Sequence, residues 1–222
     1  MTIRKGEEWG RPSCAESVVT VVRDCDLADA ILLAKQNLSE LQVQGGDTWL
    51  SLGRPRLIKP PDVCWQLSFD AIRVTLIGQT LLAYSSVVLR RPWWRGGFLA
   101  GSVWCVSLTG IVRGRNITPR AHANDGLIDV LRVSDSMKSR QRIQAWSRAS
   151  RGDHLPHDGI DVTRTQFIQI SFPQDLLLTV DGKRQGRVRE VHLEVLSDEW
   201  TVSVPRIVSN DDEASQLGDD SL

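Results

Sequence analysis

After Pro60-Pro61 the sequence alternates short apolar runs with turn residues, and that rhythm constrains the fold more than any other feature. The runs fall at residues 65–69, 72–77, 81–89, 98–108, 128–133, 167–172, 176–180, 191–196 and 200–204, with Gly, Pro or Asp-Gly between them. Many short strands at such spacing bury their apolar sides only by stacking, so residues 62–206 are expected to form a β-sandwich or barrel. The most apolar stretch, residues 72–89, contains Arg73, Gln79 and several β-branched residues. It reads as paired strands and not as a membrane span. Residues 137–157 break the rhythm: they are polar and Arg-rich, with a short helix expected near residues 139–146.

The segment before Pro60 has a different character. Residues 17–22 are a β-branched run, the signature of a buried strand. Asp26 then precedes a run of helix formers at residues 27–36, where it is expected to serve as N-cap, with Asp29 favoured by the helix dipole. Residues 41–44 suggest a second strand, ended by Gly45-Gly46-Asp47, and residues 48–52 open a further helix stopped by Gly53 and Pro55. The whole is one β-α-β unit. The expected class is therefore α+β: mainly a β-sandwich-like domain at residues 62–206, preceded by a small, truncated α/β (β-α-β) unit at residues 1–61. A self-contained α/β domain takes about 100 residues or more, which is why the unit reads as shortened. Residues 207–222 are polar and acidic and are expected to form a disordered tail.

Charge and cysteine usage exclude some classes of function. The chain carries 27 Lys+Arg against 27 Asp+Glu, so bulk electrostatics predicts neither nucleic acid nor membrane as a partner. Five acids (Asp211, Asp212, Glu213, Asp219 and Asp220) follow Arg206, and the body before them is correspondingly basic, which suits an anionic ligand. The four cysteines are scattered without Cys-x-x-Cys spacing and read as free thiols of a reducing cytoplasm. Residues 1–8 are charged and lack the apolar core of a signal peptide.

Five segments carry candidate chemistry. Asn124-Asp125-Gly126 is a tight turn leading into the strand at residues 127–133, and Asp181-Gly182 is a second turn between strands. Gly45-Gly46-Asp47 is either a plain turn or a remnant of a loop whose amides hold phosphate. Arg90-Arg91-Pro92-Trp93-Trp94-Arg95-Gly96-Gly97 combines residues that suit a membrane interface or a phosphate-bearing ligand. The alternative is a hairpin loop whose tryptophans cover a core edge or a dimer contact. His154-Leu155-Pro156-His157-Asp158 imitates a metal clip, but Pro156 excludes a regular helical pair, and a structural loop accounts for it.

The run from Pro119 through Asn124-Asp125-Gly126-Leu127-Ile128-Asp129-Val130, followed by Leu178-Thr179-Val180-Asp181-Gly182 and closing strands that end at Val204-Pro205, resembles bacterial diacylglycerol and lipid kinases. These belong to the NAD-kinase/diacylglycerol-kinase superfamily. The resemblance brackets residues 62–206. It implies a Mg²⁺ held by the Asp125 carboxylate with the carbonyls of His122 and Leu127, an oxygen set such an ion prefers; a metal-free Asx turn is the alternative. It implies ATP phosphates held at Gly45, Gly46 and Asp47. It places Asp181 near the lipid hydroxyl, while the position where the family has a catalytic glutamate is Lys183, an ammonium that cannot accept a proton.

Two functions follow from the resemblance. One is ATP-dependent phosphotransfer to a lipid hydroxyl with degenerate motifs. The other is a catalytically inactive homologue that binds lipid, nucleotide or protein, and that dimerises through exposed strands. The expected partners are a lipid substrate or membrane surface and a second copy of the chain, in the cytoplasm and peripheral to the membrane.

Overall fold

The computed structural model describes residues 9–205. In chain order the strands and helices are β1 (Arg11–Ala15), β2 (Val18–Val21), α1 (Leu27–Asn37), β3 (Glu40–Val43), α2 (Gly46–Ser51), β4 (Asp62–Leu76), β5 (Gln79–Ala83) and β6 (Ser86–Arg90). They continue with β7 (Val103–Ser107), β8 (Ile111–Val112), β9 (Arg115–Asn116), β10 (Ile128–Val133), α3 (Ser139–Arg148), β11 (Ile160–Thr165), β12 (Phe167–Val180) and β13 (Lys183–Pro205). The acidic tail expected at residues 207–222 lies outside the described residues.

The β-rich, α+β expectation holds. One antiparallel sheet runs in the order β1-β4-β13-β12-β6-β7-β10-β11, with β5 paired to the far half of β4. Its long strands change register along their length, β12 between Ser171 and Leu176 and β13 between Leu196 and Trp200. Such irregularities bend a strand and strengthen its twist, which lets one sheet fold over itself. Ile72, Val87, Leu89, Val106, Ile128, Leu178 and Leu193, all essentially inaccessible, meet in the resulting core. Each comes from the alternating apolar positions of its strand, the period-two pattern visible in the sequence.

Several runs that look separate in sequence join into single strands. Residues 65–69 and 72–77 both lie largely in β4, with Asp70 in mid-strand; residues 167–172 and 176–180 form β12; and residues 191–196 and 200–204 belong to β13. Residues 81–89 divide instead, because Tyr84 and Ser85 leave the ladder between β5 and β6. The two-residue hairpin at Asp181-Gly182 has positive φ at both positions, 47° and 81°, the geometry an Asp-Gly pair favours between twisted strands.

The β-α-β unit forms as its periodicity predicts. β2 and β3 pair in parallel, and α1 buries Leu27, Ala30, Ile31 and Ala34 on one face. That face joins a second core with Phe69, Tyr84, Trp200 and Val202, so the unit is seated on the sheet by apolar burial. β1 is a further link, since it pairs with β4 at the sheet edge. Asp26 does not make the side-chain cap expected of it. A 3-10 turn at Asp24–Asp26 precedes the helix, so Asp26 is already near helical geometry, and its carboxylate pairs with Arg23 at 2.8 Å.

Candidate functional site

The Gly45-Gly46-Asp47 turn lies where β3 ends and α2 begins, as the α/β pattern requires. The amides of Asp47 and of Thr48 after it are already engaged. The Asp47 amide donates to Asp24 Oδ2 at 2.6 Å, the Thr48 amide to Asp24 Oδ1 at 3.2 Å, and the Thr48 hydroxyl to the same oxygen at 2.8 Å. A side chain on Gly46, where φ is +81°, would run into that carboxylate, and one on Gly45 would strike the Val22 carbonyl. Glycines are thus required by the close approach of the 22–24 segment. Asp47 points the other way: its carboxylate accepts the Arg113 amide at 2.6 Å and the Gly114 amide at 2.7 Å, tying α2 to the β8–β9 hairpin. Burial pushes the Asp47 carboxyl above its ordinary value, and the two amides oppose this.

Asp181 lies close enough to Asp24 to feel its charge. Its carboxylate accepts the amides of Tyr84, Ser85 and Ser86, each at 2.8 Å, and so closes the break between β5 and β6. Burial raises this carboxyl to about 7, the three amides pull it down, and the negative charge of Asp24 adds to the rise. That mutual influence brings the glycine turn and the Asp181-Gly182-Lys183 hairpin together, and Lys183 lies within the field of Asp26. Neither Asp24 nor the Tyr84–Ser86 amides stands out in the sequence as a partner for these turns.

The Asn124–Leu127 turn is built from its own set of contacts. Asp125 makes the expected Asx turn to the Leu127 amide at 3.1 Å, and its second oxygen pairs with Arg164. Arg164 also reaches Asp129, buried on β10, at 3.4 Å. Gly126, with φ of +70°, donates its amide to Asp70 at 2.8 Å, and the Asn124 side chain donates to the Ser68 carbonyl at 2.8 Å and to Asp198 at 2.9 Å. Asp70 is fully buried; burial first, and then Asp125, raise its carboxyl to about 6. Asp129 is raised to about 6 by burial, with Arg164 opposing. His122 accepts the Asn124 amide at 3.2 Å and packs against Trp9.

As folded, the Asp125 carboxylate is engaged within the protein. One Asp125 oxygen accepts the Leu127 amide and the other pairs with Arg164, which supplies the neutralising charge at this turn. The two histidines of the 154–158 loop also part company. His154 Nε2 meets the Ile117 carbonyl at 2.9 Å, and His157 accepts the Gly159 amide at 3.0 Å.

A further feature has no counterpart among the sequence motifs. β7, β10, β11 and α3 enclose an apolar pocket of about 330 Å³, lined by Val103, Leu131, Val133, Met137, Ile143 and Trp146 among others. Phe98 forms part of the wall, with the guanidinium groups of Arg90 and Arg113 over its ring at 5.1 and 5.6 Å. Arg115 lies over Trp146 at 5.7 Å. Arg142 is buried, and it donates to the carbonyls of Met137, Phe98, Gly101 and Ser134 at 2.6–2.9 Å, holding the N-terminus of α3 to the 98–101 turn. The arginine excess near residues 137–157 was visible in sequence, but the apolar wall beneath it comes from three strands distant along the chain.

The fold has counterparts among known proteins. A crystal structure of a candidate diacylglycerol kinase from Bacillus anthracis str. Sterne aligns with a TM-score of 0.57 at 14% identity, over 86% of this chain and 79% of that one. A diacylglycerol kinase structure from the same organism aligns with a TM-score of 0.55 at 14% identity, over 86% and 77%. No curated protein matches the sequence. Residues 100–203 match the YegS C-terminal NAD kinase beta sandwich-like domain, a stretch that includes β7 through most of β13 and both Asp-Gly turns. The β-sandwich-like part of the chain is therefore similar to an NAD kinase-like domain, and the fold as a whole to diacylglycerol kinase structures.

Proposed function

We propose that this protein binds a lipid, with an acyl chain in the apolar pocket beneath α3 and a polar or anionic headgroup among the arginines at its rim. The observation that carries this reading is the pocket itself. About 330 Å³ is within the usual range for small-molecule sites, its lining is apolar, and Arg90, Arg113 and Arg115 stand over its aromatic walls. An amphiphile with a chain and a phosphate or hydroxyl headgroup matches both halves of that surface.

Within the diacylglycerol-kinase-like family the reaction implied is phosphoryl transfer from ATP to a lipid hydroxyl, with Mg²⁺. Positioning and electrostatics dominate such transfer, so the phosphate-holding amides matter most. In this chain the Asp24 carboxylate holds the Asp47 amide and that of Thr48 beside it, and would repel a nucleotide phosphate. Asp181 is committed to three backbone amides, and Lys183 has no lone pair with which to take a proton. Arg164 supplies the charge at the Asp125 turn. Together these favour a lipid-binding homologue that does not transfer phosphate, acting from the cytoplasm at the membrane periphery.

The test is titration of the purified protein with a monomeric fluorescent fatty-acyl probe, displaced by medium-chain diacylglycerol. Saturable binding is expected, and Ala149→Leu, which fills the pocket, should weaken it at least about tenfold, the order of one or two methylenes of lost burial. Circular dichroism checks that the variant is folded. An unsaturable signal, or one indifferent to Ala149→Leu, would remove the reading. Transfer of labelled γ-phosphate to diacylglycerol above background would restore the kinase reading.

A further inference from the structure

Five of the exposed large apolar side chains, Trp93, Trp94, Leu99, Ile143 and Trp146, fall on two neighbouring segments. Trp93 and Trp94 form a 3-10 turn with Arg95 and are 77% and 52% exposed, their rings edge to face at 6.0 Å. Leu99, Ile143 and Trp146 are also exposed, and all three line the lipid pocket, so they mark its mouth. The two segments are physically joined. The Ser139 hydroxyl donates to the Leu99 carbonyl at 3.0 Å, Phe98 and Trp146 pack at 5.9 Å, and Arg142 bonds to the carbonyls of Phe98 and Gly101. The loop is also stiff. The amides of Arg95 and Gly97 both return to the Pro92 carbonyl, and the Leu99 amide to that of Gly96. A rigid loop that holds two tryptophans in water gains nothing inside its own fold from doing so.

Charge identifies the surface that would cover it. Residues 90–100 carry Arg90, Arg91 and Arg95, and residues 138–151 carry Lys138, Arg140, Arg148 and Arg151 besides the buried Arg142, with no Asp or Glu in either segment. Tryptophan belongs at the depth of lipid headgroups, and basic residues beside it are drawn to anionic leaflets. A protein partner would be expected to bring acidic residues and a shaped apolar insert. The combination of flat tryptophans, a spread cationic fringe and an open apolar pocket suits a bilayer better.

We propose that the 90–100 loop and the exposed face of α3 form a membrane-docking surface for anionic bilayers, which sets the pocket mouth against the leaflet. The inference rests on the lipid-binding reading above and names the surface from which the lipid arrives. Docking inserts the two indoles between headgroups while the arginines face lipid phosphates. An acyl chain then reaches the pocket past Leu99 and Ile143 without crossing water.

The experiment is co-sedimentation of the full chain with vesicles of phosphatidylcholine alone, and with vesicles of phosphatidylcholine and phosphatidylglycerol in equal parts, at low and high salt. The protein is expected to sediment with the mixed vesicles at low salt and to be released as salt screens the arginines. Trp93→Ala/Trp94→Ala should weaken this binding at least about tenfold, and Arg95→Gln by about fivefold, the worth of one basic residue near an anionic surface. Neither tryptophan lines the pocket, so the double variant should still bind the monomeric acyl probe, while Ala149→Leu should lose the probe and keep the vesicles. Failure of the probe alone would therefore count against the pocket, and failure of the vesicles alone against the docking face. Equal sedimentation with both vesicle types, or unchanged sedimentation of the double variant, overturns the proposal. So does a dimer in lipid-free solution that the double variant dissolves, which would assign the patch to self-association.

Discussion

The Asp24 carboxylate accepts both the amide and the hydroxyl of Thr48, at 3.2 and 2.8 Å, in addition to the Asp47 amide. An acid on the loop before α1 thus neutralises the start of α2 across 24 residues of chain. A phosphate arriving at that turn would have to displace a covalently tethered anion.

Wild-type protein is accordingly expected to give no binding heat with ATP·Mg²⁺ in calorimetry. Asp24→Ala should lower stability by about 2 kcal/mol, the sum of a lost cap and charge-assisted hydrogen bonds, and the melting temperature by several degrees. Micromolar nucleotide binding by the wild type would refute the tethered-anion account.

Arg142 should be among the costliest residues to replace at the pocket. Its guanidinium satisfies four carbonyls from two segments, 98–101 and 134–137, and Arg142→Met leaves them without that donor. A loss of about 3 kcal/mol is expected in urea unfolding, with faster hydrogen exchange at residues 98–101. Arg142→Lys should recover little, because one ammonium cannot reproduce the planar fork.

At the Asp125 turn, Arg164 makes added metal unnecessary. The melting temperature of the wild type should be the same in EDTA and in Mg²⁺. Arg164→Ala should lower stability by about 1–3 kcal/mol by leaving Asp125 and Asp129 without their cation. A Mg²⁺-induced rise of several degrees in the wild type would show that an ion competes with Arg164 after all.

The buried acids predict an unusual pH response. Asp129 is raised to about 6 in the folded protein, against about 4 for an unfolded aspartate, so between these values the folded state holds the extra proton. Its contribution to stability therefore falls as pH rises from about 4 to about 6, and is recovered on acidification. The difference in melting temperature between wild type and Asp129→Asn should shift in favour of the wild type as pH is lowered from 7 to 5. A difference that is flat across this window would mean that Arg164 keeps Asp129 ionised throughout.

Local patterns carried a good part of the architecture. The β2-α1-β3 unit was readable because the helix places Leu27, Ala30, Ile31 and Ala34 on one face and its strands are β-branched. β10 and the Asp181-Gly182 hairpin were readable because their periodicity and turn residues agree. The short partners were not: β1 carries Pro12 and alternates weakly, and β11 is polar and exposed on most positions, so their strand state comes only from pairing with β4 and β10. Asp70 did leave a signal, an acid inside the apolar run of residues 67–74, yet the amides it serves belong to Gly126 and Asp198.

What the sequence determined by itself is what depends on neighbours along the chain: strand and helix periods, the turns that glycine and aspartate prefer, and the resemblance those turns carry. Tertiary structure alone decided how the charged groups are used. Asp24 against the glycine turn, Arg164 against Asp125, and the pocket between α3 and three strands join residues about 20 to 60 positions apart. Side-chain electrostatics acts over a few ångströms of space, and only the folded sheet brings those positions within that range.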